Sequence, residues 1–281
     1  MSATLYVVAT PLGNLEDLSA RGAAVLSRVS VVAAEDTRRT SRLLAHLGAT
    51  PRLLSFHAHS PESRTRTLLD ILEAGQDVAL VSDAGTPLIS DPGAGLVQAV
   101  RAAGFAVVPI PGPSAVTTAL SGAGLGGVRY LFLGFLPRKG GERRRLLERA
   151  THEPWPVVMF EAPGRLVVLL DDLVALAGPD RPAAVARELT KIHEEIRTDT
   201  LGALRTAFAD AEPRGEITVI LGGAPAEPAA LADPAEAAAL ARQLLAAGKS
   251  RKDAAAGVAS RMGWPRNEAY RLVNDLDASL E

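Results

Sequence analysis

The stretch that most constrains the fold runs from residue 82 to residue 93, with the sequence SDAGTPLISDPG. An apolar run at residues 78–81 precedes it, and a helical pattern at residues 94–104 follows. This order predicts a strand, a long turn and a helix. Glycine lets a ligand approach the backbone closely, and proline stiffens a loop. Loops of this kind bind ligands beyond the carboxyl ends of strands in open α/β sheets, so we favour a ligand site over a purely structural turn.

Apolar strands alternate with helical segments through the first 110 residues. Strands are predicted at residues 5–9, 29–34, 52–56, 78–81 and 105–110. The alternation indicates βαβ units and a mostly parallel sheet, whose polar turns gather along one edge. The second set of predicted strands covers residues 130–134, 157–160, 183–187, 194–198 and 216–221. The βαβ rhythm is irregular there, which favours a mixed sheet.

The chain is long enough for more than one domain. The predicted division is an α/β domain at residues 1–112, a second α/β domain at residues 113–223, a linker at residues 224–234 and a helical domain at residues 235–281. The tail is predicted to form three short helices, broken at Gly248 and Gly263. The sequence Ser-x-x-Asp from Ser250 to Asp253 is typical of a helix start.

Composition excludes several kinds of protein. There is no cysteine, so disulfides, thiolate metal sites and a cysteine nucleophile are excluded. The formal net charge is −2, so any affinity for nucleic acid must come from local patches. We see no signal-like start and no apolar run of about 18 residues, and we expect a soluble cytoplasmic protein without membrane contact.

Common catalytic motifs are also missing from the sequence. It contains no P-loop, no complete dinucleotide fingerprint, no nucleophile elbow and no His-Glu-x-x-His. His57 and His59 could share a metal on one strand face, but no third ligand is near them in the sequence, and no metal ligand is assigned.

Three groups of charged residues are candidates for chemistry. Glu35 and Asp36 end a predicted strand, where they could act as a base, bind a sugar or cap the next helix. Lys191 could hold a phosphate or form a surface salt bridge. The basic run between Arg138 and Arg149 is either a solvated face or a phosphate contact.

Eight short motifs occur in one order between residues 5 and 222. They are LYVVATPLGNL (5–15), AEDTR (34–38), VSDAGTP (81–87), SDPG (90–93), PGPSA (111–115), GFLP (134–137), RELTK (187–191) and GE (215–216). Together they resemble the ribosomal small-subunit methyltransferase I family, which has the tetrapyrrole-methylase fold. The resemblance implies two α/β domains, a parallel sheet and then a mixed sheet, with S-adenosylmethionine bound between them and a small C-terminal helical domain.

The resemblance also implies an activity: methylation of the ribose 2′-oxygen of a cytidine in the decoding region of 16S rRNA. The expected substrate is the assembled 30S subunit, and a homodimer is expected. Two alternatives stay open, a tetrapyrrole methyltransferase of the same fold and a non-catalytic RNA-binding protein. The basic tail argues against the first, and the intact glycine and proline pattern of the 82–93 loop argues against the second.

Site residues follow from the matched motifs. The implied cofactor-binding residues are Pro11, Asp83, Gly85, Thr86, Pro87, Ile89, Ser114, Ala115, Phe160, Glu161, Leu189, Glu216 and Ile217. Glu35, Asp36 or Lys191 is expected to orient or deprotonate the 2′-hydroxyl. The expected RNA contacts are Arg138, Lys139, Arg143, Arg144, Lys249, Arg251, Lys252 and Arg266. The chain departs from the family at Phe160, where tyrosine is common, and after His59, where Ser-Pro-Glu replaces Asn and Glu.

Overall fold

The first part of the chain forms a five-stranded parallel sheet with helices. The computed structural model describes residues 3–209, 213, 215–225 and 233–278. The first elements in chain order are β1 (Thr4–Val8), α1 (Ala20–Arg28), β2 (Val31–Ala34), α2 (Thr37–His46), β3 (Arg52–Ser55), α3 (Glu62–Glu73), β4 (Val78–Val81), α4 (Ala94–Ala102) and β5 (Ala106–Ile110). The strand order is β3-β2-β4-β1-β5, and each neighbouring pair is parallel, as predicted.

Helices cover both faces of this sheet because its inner strands are apolar on both sides. Every residue of β2 and β4 is buried. Leu80 faces a cluster that includes residues of α3 and α4, and Val32 faces one that includes residues of α1 and α2. A parallel strand that is buried on both faces is a continuous apolar run in the sequence. The carboxyl ends of the strands share one edge, so the loops that follow them are neighbours.

A second, mixed sheet follows, as predicted. Its elements are α5 (Ala115–Ala123), β6 (Leu131–Phe135), α6 (Gly141–His152), β7 (Val157–Glu161), α7 (Leu166–Ala177), β8 (Pro182–Arg187), β9 (Glu195–Thr200), α8 (Leu201–Ala209) and β10 (Ile217–Leu221). The strand order is β6-β7-β10-β8-β9. β6 and β7 are parallel, whereas β10 is antiparallel to β7 and β8, and β9 is antiparallel to β8. α5 packs on one face of this sheet through Val116 and Leu120, and α6, α7 and α8 pack on the other.

Two predicted boundaries are shifted by helix caps. The strand predicted from residue 29 begins at Val31, because Val29 caps α1 by donating its N–H to the carbonyl of Val25 at 3.1 Å. The helix predicted soon after residue 15 begins at Ala20, where the Oγ of Ser19 accepts the N–H of Gly22 at 3.0 Å. A capping residue ends or starts a helix through its backbone N–H or its side chain, and periodicity alone does not locate it.

The tail is a separate unit of helices. Contacts divide the chain into Met1–Gly223 and Ala224–Glu281. The tail contains α9 (Pro234–Ala246), α10 (Arg251–Met262) and α11 (Arg266–Ala278), which enclose a small core that includes Ala241, Val258 and Val273.

The caps of the tail helices agree with the sequence pattern. The Oγ of Ser250 accepts the N–H of Asp253 at 3.1 Å and starts α10, and Gly263 ends it with φ +69°. The predicted linker at residues 224–234 lies largely outside the described residues, and the predicted domain bounds stay predictions. Within the described ranges, no helix is both long and apolar enough to cross a membrane.

Candidate active site

A cleft lies between the two sheets, where loops from both meet. Its volume is about 240 Å³, and ten of the thirteen residues predicted to bind a ligand line it. They are Asp83, Gly85, Thr86, Ile89, Ser114, Ala115, Phe160, Glu161, Glu216 and Ile217. Of the other three, Pro11 lines an adjacent pocket, Leu189 is buried in the core with α5, and Pro87 is buried within its loop.

The loop after β4, residues 82–93, forms one wall of the cleft and is called the Asp83 loop below. Gly85 has φ +79°, and its N–H and carbonyl pair with those of Thr10 at 2.9 and 2.8 Å. Leu88 and Ser90 also have positive φ, at 74° and 66°. A non-glycine residue in this region costs about 1–3 kcal/mol, and such strain concentrates at ligand-binding loops. The backbone therefore supports the prediction of a ligand site over that of a structural turn.

The Asp83 loop is fastened to the opposite side of the cleft. The hydroxyl of Thr86 donates to the carbonyl of Pro113 at 3.0 Å, just before α5. Gly134 of β6 has φ +62°, and a Cβ built there would lie 2.9 Å from the Oγ of Ser90. The positive φ favours glycine at this position, and a Cβ would also crowd the Ser90 hydroxyl, which fits the glycine in the 134–137 motif.

The wall formed by the second sheet is largely apolar. The ring of Phe160 contacts Phe132 edge to face, with centroids 4.9 Å apart, and lies 5.4 Å from the ring of Phe135. Phe135 is 57% exposed at the cleft, and Ile217 completes this surface. A wall of two aromatic rings and a branched aliphatic side chain suits a flat heterocyclic ring.

Carboxylates from both sheets line the cleft. Asp83 and Asp91 belong to the Asp83 loop of the first sheet, and Glu216 directly precedes β10 of the second. Glu35 follows β2 and is close enough to Asp83 for their charges to interact. Burial raises the pKa of Glu35, and the charges of Asp83 and Asp91 raise it further. Burial is also the main cause that raises the pKa of Asp91. Since these groups disfavour each other's charge, a ligand with a cation or several hydroxyl donors would relieve them.

The other two predicted catalytic residues are held by ion pairs. Asp36 caps α2, because its Oδ1 accepts the N–H of Arg38 at 2.8 Å, and its own N–H donates to Oδ1 of Asp83 at 2.8 Å. Hydrogen bonds from Arg38 hold the pKa of Asp36 well below its usual range.

Lys191 lies 2.8 Å from Oε1 of Glu188 and 3.6 Å from Oε2 of Glu216. Burial lowers the pKa of Lys191, but the hydrogen bond that its ammonium donates to Glu188 and the charge of Glu216 outweigh that effect and raise it. Lys191 is therefore a charged donor beside the cleft rather than a proton acceptor.

Arg143 does not present a free basic group. Its side chain is 9% exposed, and its Nη2 lies 2.6 Å from Oδ2 of Asp172. Its Nη1 lies 3.9 Å from Oε2 of Glu161, which is buried at the end of β7. These contacts enclose the guanidinium, so Arg143 is not exposed for the RNA contact that was predicted. Arg138, Lys139 and Arg144 on the same segment are exposed, and so are Lys249, Arg251, Lys252 and Arg266 in the tail.

Several lining residues were not predicted. The cleft also contains Asp91, Phe135 and Thr218. Asp91 and Phe135 lie within the motifs at residues 90–93 and 134–137, so their position after a strand was an available signal. Thr218 is a buried polar residue inside an apolar strand, which is a weak signal in the sequence alone.

The histidine pair is in local contact. The N–H of His59 donates to Nδ1 of His57 at 3.2 Å. Across the described residues, no group of three His, Cys, Asp or Glu side chains is arranged to hold a metal ion.

The chain matches the family described as Tetrapyrrole (Corrin/Porphyrin) Methylases over residues 4–205. A solved structure of cobalt precorrin-4 methyltransferase, a cobalamin biosynthetic enzyme, has a TM-score of 0.62 at 20% identity and covers 78% of this chain and 94% of that one. Uroporphyrin-III C-methyltransferase from Thermus thermophilus, complexed with S-adenosyl homocysteine, has a TM-score of 0.59 at 22% identity, with 78% and 97% covered. At these identities, the two structures share the fold, which is that of the tetrapyrrole methylase class.

Similarity to two curated proteins is much higher. The chain is 48% identical over 229 residues to ribosomal RNA small subunit methyltransferase I of Xylella fastidiosa (strain Temecula1), covering 81% of this chain and 84% of that protein. It is 46% identical over 225 residues to the protein of the same name from Escherichia coli O157:H7, covering 79% of each. The chain belongs to the ribosomal RNA small subunit methyltransferase I family.

Proposed function

We propose that this protein transfers a methyl group from S-adenosylmethionine to the ribose 2′-oxygen of a cytidine in the decoding region of 16S rRNA. The observation that carries the proposal is the cleft, which joins an aromatic wall to a carboxylate cluster. Membership of the family supports ribosomal RNA of the small subunit as the substrate class. We also propose the assembled 30S subunit as the substrate, a homodimer as the working form and the cytoplasm as the location.

The residues of the cleft fit the chemical parts of S-adenosylmethionine. Phe160 and Ile217 would pack against the adenine ring. Asp83, Asp91 and Glu216 would accept hydrogen bonds from the ribose hydroxyls and the ammonium group, and they favour a positive charge at the sulfur. When bound, the cofactor supplies a methyl group already activated by the sulfonium, so no covalent enzyme intermediate is needed.

The protein must then place the 2′-oxygen in line with that methyl group, at about 3 Å. Of the three candidate catalytic residues, we assign Glu35 as the group that accepts the hydroxyl proton, because it follows β2 and its charge interacts with that of Asp83, which lines the cleft. The raised pKa of Glu35 makes it a stronger base than an ordinary carboxylate, whereas the ion pair of Asp36 weakens that group as a base. Lys191 is assigned as a charged donor that positions the ribose or its neighbours.

Replacing Glu35 tests the assignment of the base. We expect Glu35→Gln to lower the single-turnover methylation rate by about 100-fold, within the range for loss of a general base. Cofactor affinity, measured by calorimetry, should change little. Asp36→Asn is the matched control and should have a smaller effect. Intact single-turnover rates in Glu35→Gln would rule out the assigned base.

The function itself is tested by methyl transfer from labelled S-adenosylmethionine to purified small subunits, followed by nuclease mapping. We expect the label on a single 2′-O-methylcytidine. Cofactor binding without label on subunits or free RNA would favour a small-molecule substrate such as a tetrapyrrole. Absence of cofactor binding would favour a non-catalytic RNA-binding protein.

A further inference from the structure

A second, smaller pocket adjoins the cleft and shares Asp83 with it. Its volume is about 120 Å³, and it lies between α2 and the loop that follows β1. Arg39 and Arg42 of α2 line one side, and Pro11 and Gly13 line the other. It is called the arginine pocket below. Pro11 was expected to bind the cofactor, but no role was expected for Arg39 or Arg42.

The two arginines have unused hydrogen-bonding capacity. The Nη1 of Arg39 lies 3.9 Å from Oδ2 of Asp83 and 4.0 Å from Oε1 of Glu216, too far for hydrogen bonds. Its side chain is 57% exposed. Among the described residues, Arg42 forms no ion pair and no side-chain hydrogen bond. The spacing of three residues puts both guanidinium groups on one side of the helix.

The arginine pocket places positive charge beside the carboxylates of the cleft. The carboxylates of the cleft suit a cationic cofactor, but they repel the phosphates of RNA. In RNA, the 2′-oxygen and the 3′-phosphate are attached to adjacent carbons of the ribose. An enzyme that holds the 2′-oxygen in the cleft must therefore accept a phosphate close by. Among the residues that line the adjoining pocket, the cations are Arg39 and Arg42.

We propose that the arginine pocket binds the phosphodiester group next to the ribose that receives the methyl group. The proposal rests on the proposed function and names an RNA contact on the first α/β sheet. The planar guanidinium group matches a phosphate through two parallel N–H donors. On binding, Arg39 exchanges its two long contacts with carboxylates for short ones with the phosphate. The pocket thereby sets the position of the ribose relative to the cleft.

The test measures binding of the full-length protein to purified small subunits at several salt concentrations. We expect Arg39→Gln and Arg42→Gln each to weaken binding by about tenfold at low salt, as for loss of a charged hydrogen bond. Each should also reduce the slope of log affinity against log salt by about 0.7, the value for one phosphate contact on a single strand. Affinity for S-adenosylmethionine should stay within about twofold of the wild type, which also shows that the variants are folded.

Two sets of variants complete the design. Arg39→Lys and Arg42→Lys keep the charge, so the salt slope should stay near that of the wild type while affinity falls, because lysine lacks the two-donor geometry. Arg101→Gln is the matched control, since it removes an exposed arginine from the far end of α4. It should bind subunits like the wild type.

Three results would overturn the inference. If Arg39→Gln and Arg42→Gln bind subunits like Arg101→Gln while the wild type methylates them, the arginine pocket has no role and the proposed function stands. If both variants lose cofactor affinity instead, the arginines belong to the cofactor site. If the wild type binds cofactor but methylates no RNA, the proposed function fails and the inference fails with it.

Discussion

The two walls of the cleft differ in whether their buried or half-buried carboxylates are paired with arginines. On the β7 side, Glu161 is almost fully buried and lies 3.1 Å from Nε of Arg165 and 3.9 Å from Nη1 of Arg143. On the side of the Asp83 loop, Glu35 and Asp91 have raised pKa values, because burial and neighbouring carboxylates disfavour their charge. One wall therefore compensates its negative charge with arginines, and the other largely leaves it uncompensated.

This difference separates a structural role from a ligand-binding role. Breaking a buried ion pair from one side leaves an uncompensated charge, so the compensated wall should be sensitive to mutation in its stability. A cluster of like charges lowers the stability of the free protein, and a ligand that binds to the cluster raises it again. We therefore expect a mutation of Glu161 on the β7 wall to lower the stability of the protein. Mutations of the carboxylates on the wall of the Asp83 loop should lower cofactor affinity without lowering stability.

The largest effect is expected from Glu161→Ala. It removes the carboxylate that pairs with Arg165, whereas Arg143 keeps its contact with Asp172, and it should cost about 3–5 kcal/mol. At about 2–4 °C per kcal/mol for a protein of this size, thermal unfolding followed by circular dichroism should show a midpoint lowered by about 10 °C. Glu148→Ala removes an exposed pair with Arg144 and should cost less than about 1 kcal/mol. Equal shifts in the two variants would contradict the comparison.

The second effect is expected from Asp83→Asn. The amide oxygen can still accept the N–H of Asp36, so the fold should be kept, but the charge that faces the ligand is lost. Affinity for S-adenosylmethionine should fall by about 10- to 100-fold, as for loss of a charged hydrogen bond. Calorimetric titration measures it. A variant with unchanged affinity would show that this wall does not hold the cofactor.

The smallest effect is expected from Asp91→Asn, which should raise the unfolding midpoint, whereas Glu161→Ala lowers it. Because burial raises the pKa of Asp91, its charged form is less favourable in the folded protein than in the unfolded chain. The neutral amide should therefore raise the unfolding midpoint at pH 7 by less than Glu161→Ala lowers it. The gain should disappear as the pH falls below the ordinary value of 3.8, where Asp91 is protonated in both states.

Unfolding followed from pH 3 to pH 7 tests this sign, with the wild type measured in the same buffers. A variant that is less stable than the wild type at pH 7 would contradict it. Cofactor affinity should fall in the same variant, because the carboxylate that costs stability is one that would serve the ligand.

Features that depend on neighbouring residues, such as the strands, were predicted from the sequence. Features that depend on packing between distant segments, such as the burial of Arg143, were not. The strands of the parallel sheet are buried on both faces, so they are apolar runs that could be recognised one by one, as in β2 and β4. Ten of the lining residues were expected from the resemblance to the family. The burial of Arg143 was not, because Asp172 is 29 residues away and meets it only when α6 packs on α7.

The role of helix caps shows the same limit. Asp36 was a candidate base or a candidate cap from its position alone, and only the hydrogen bonds with Arg38 show that it caps α2. Leu189 lies within a matched motif, yet it packs in the core with α5. A motif identifies a segment, whereas the direction of each side chain depends on neighbours that are distant in the sequence.

The paired hydrogen bonds between Thr10 and Gly85 have a consequence for the kinetics of the cleft. They join the loop after β1 to the Asp83 loop, so neither loop opens without breaking the same two bonds. Local unfolding on this side is then one cooperative event rather than two independent ones. We therefore expect the arginine pocket and the Asp83 carboxylate to be lost together, and to re-form together, when this wall unfolds locally.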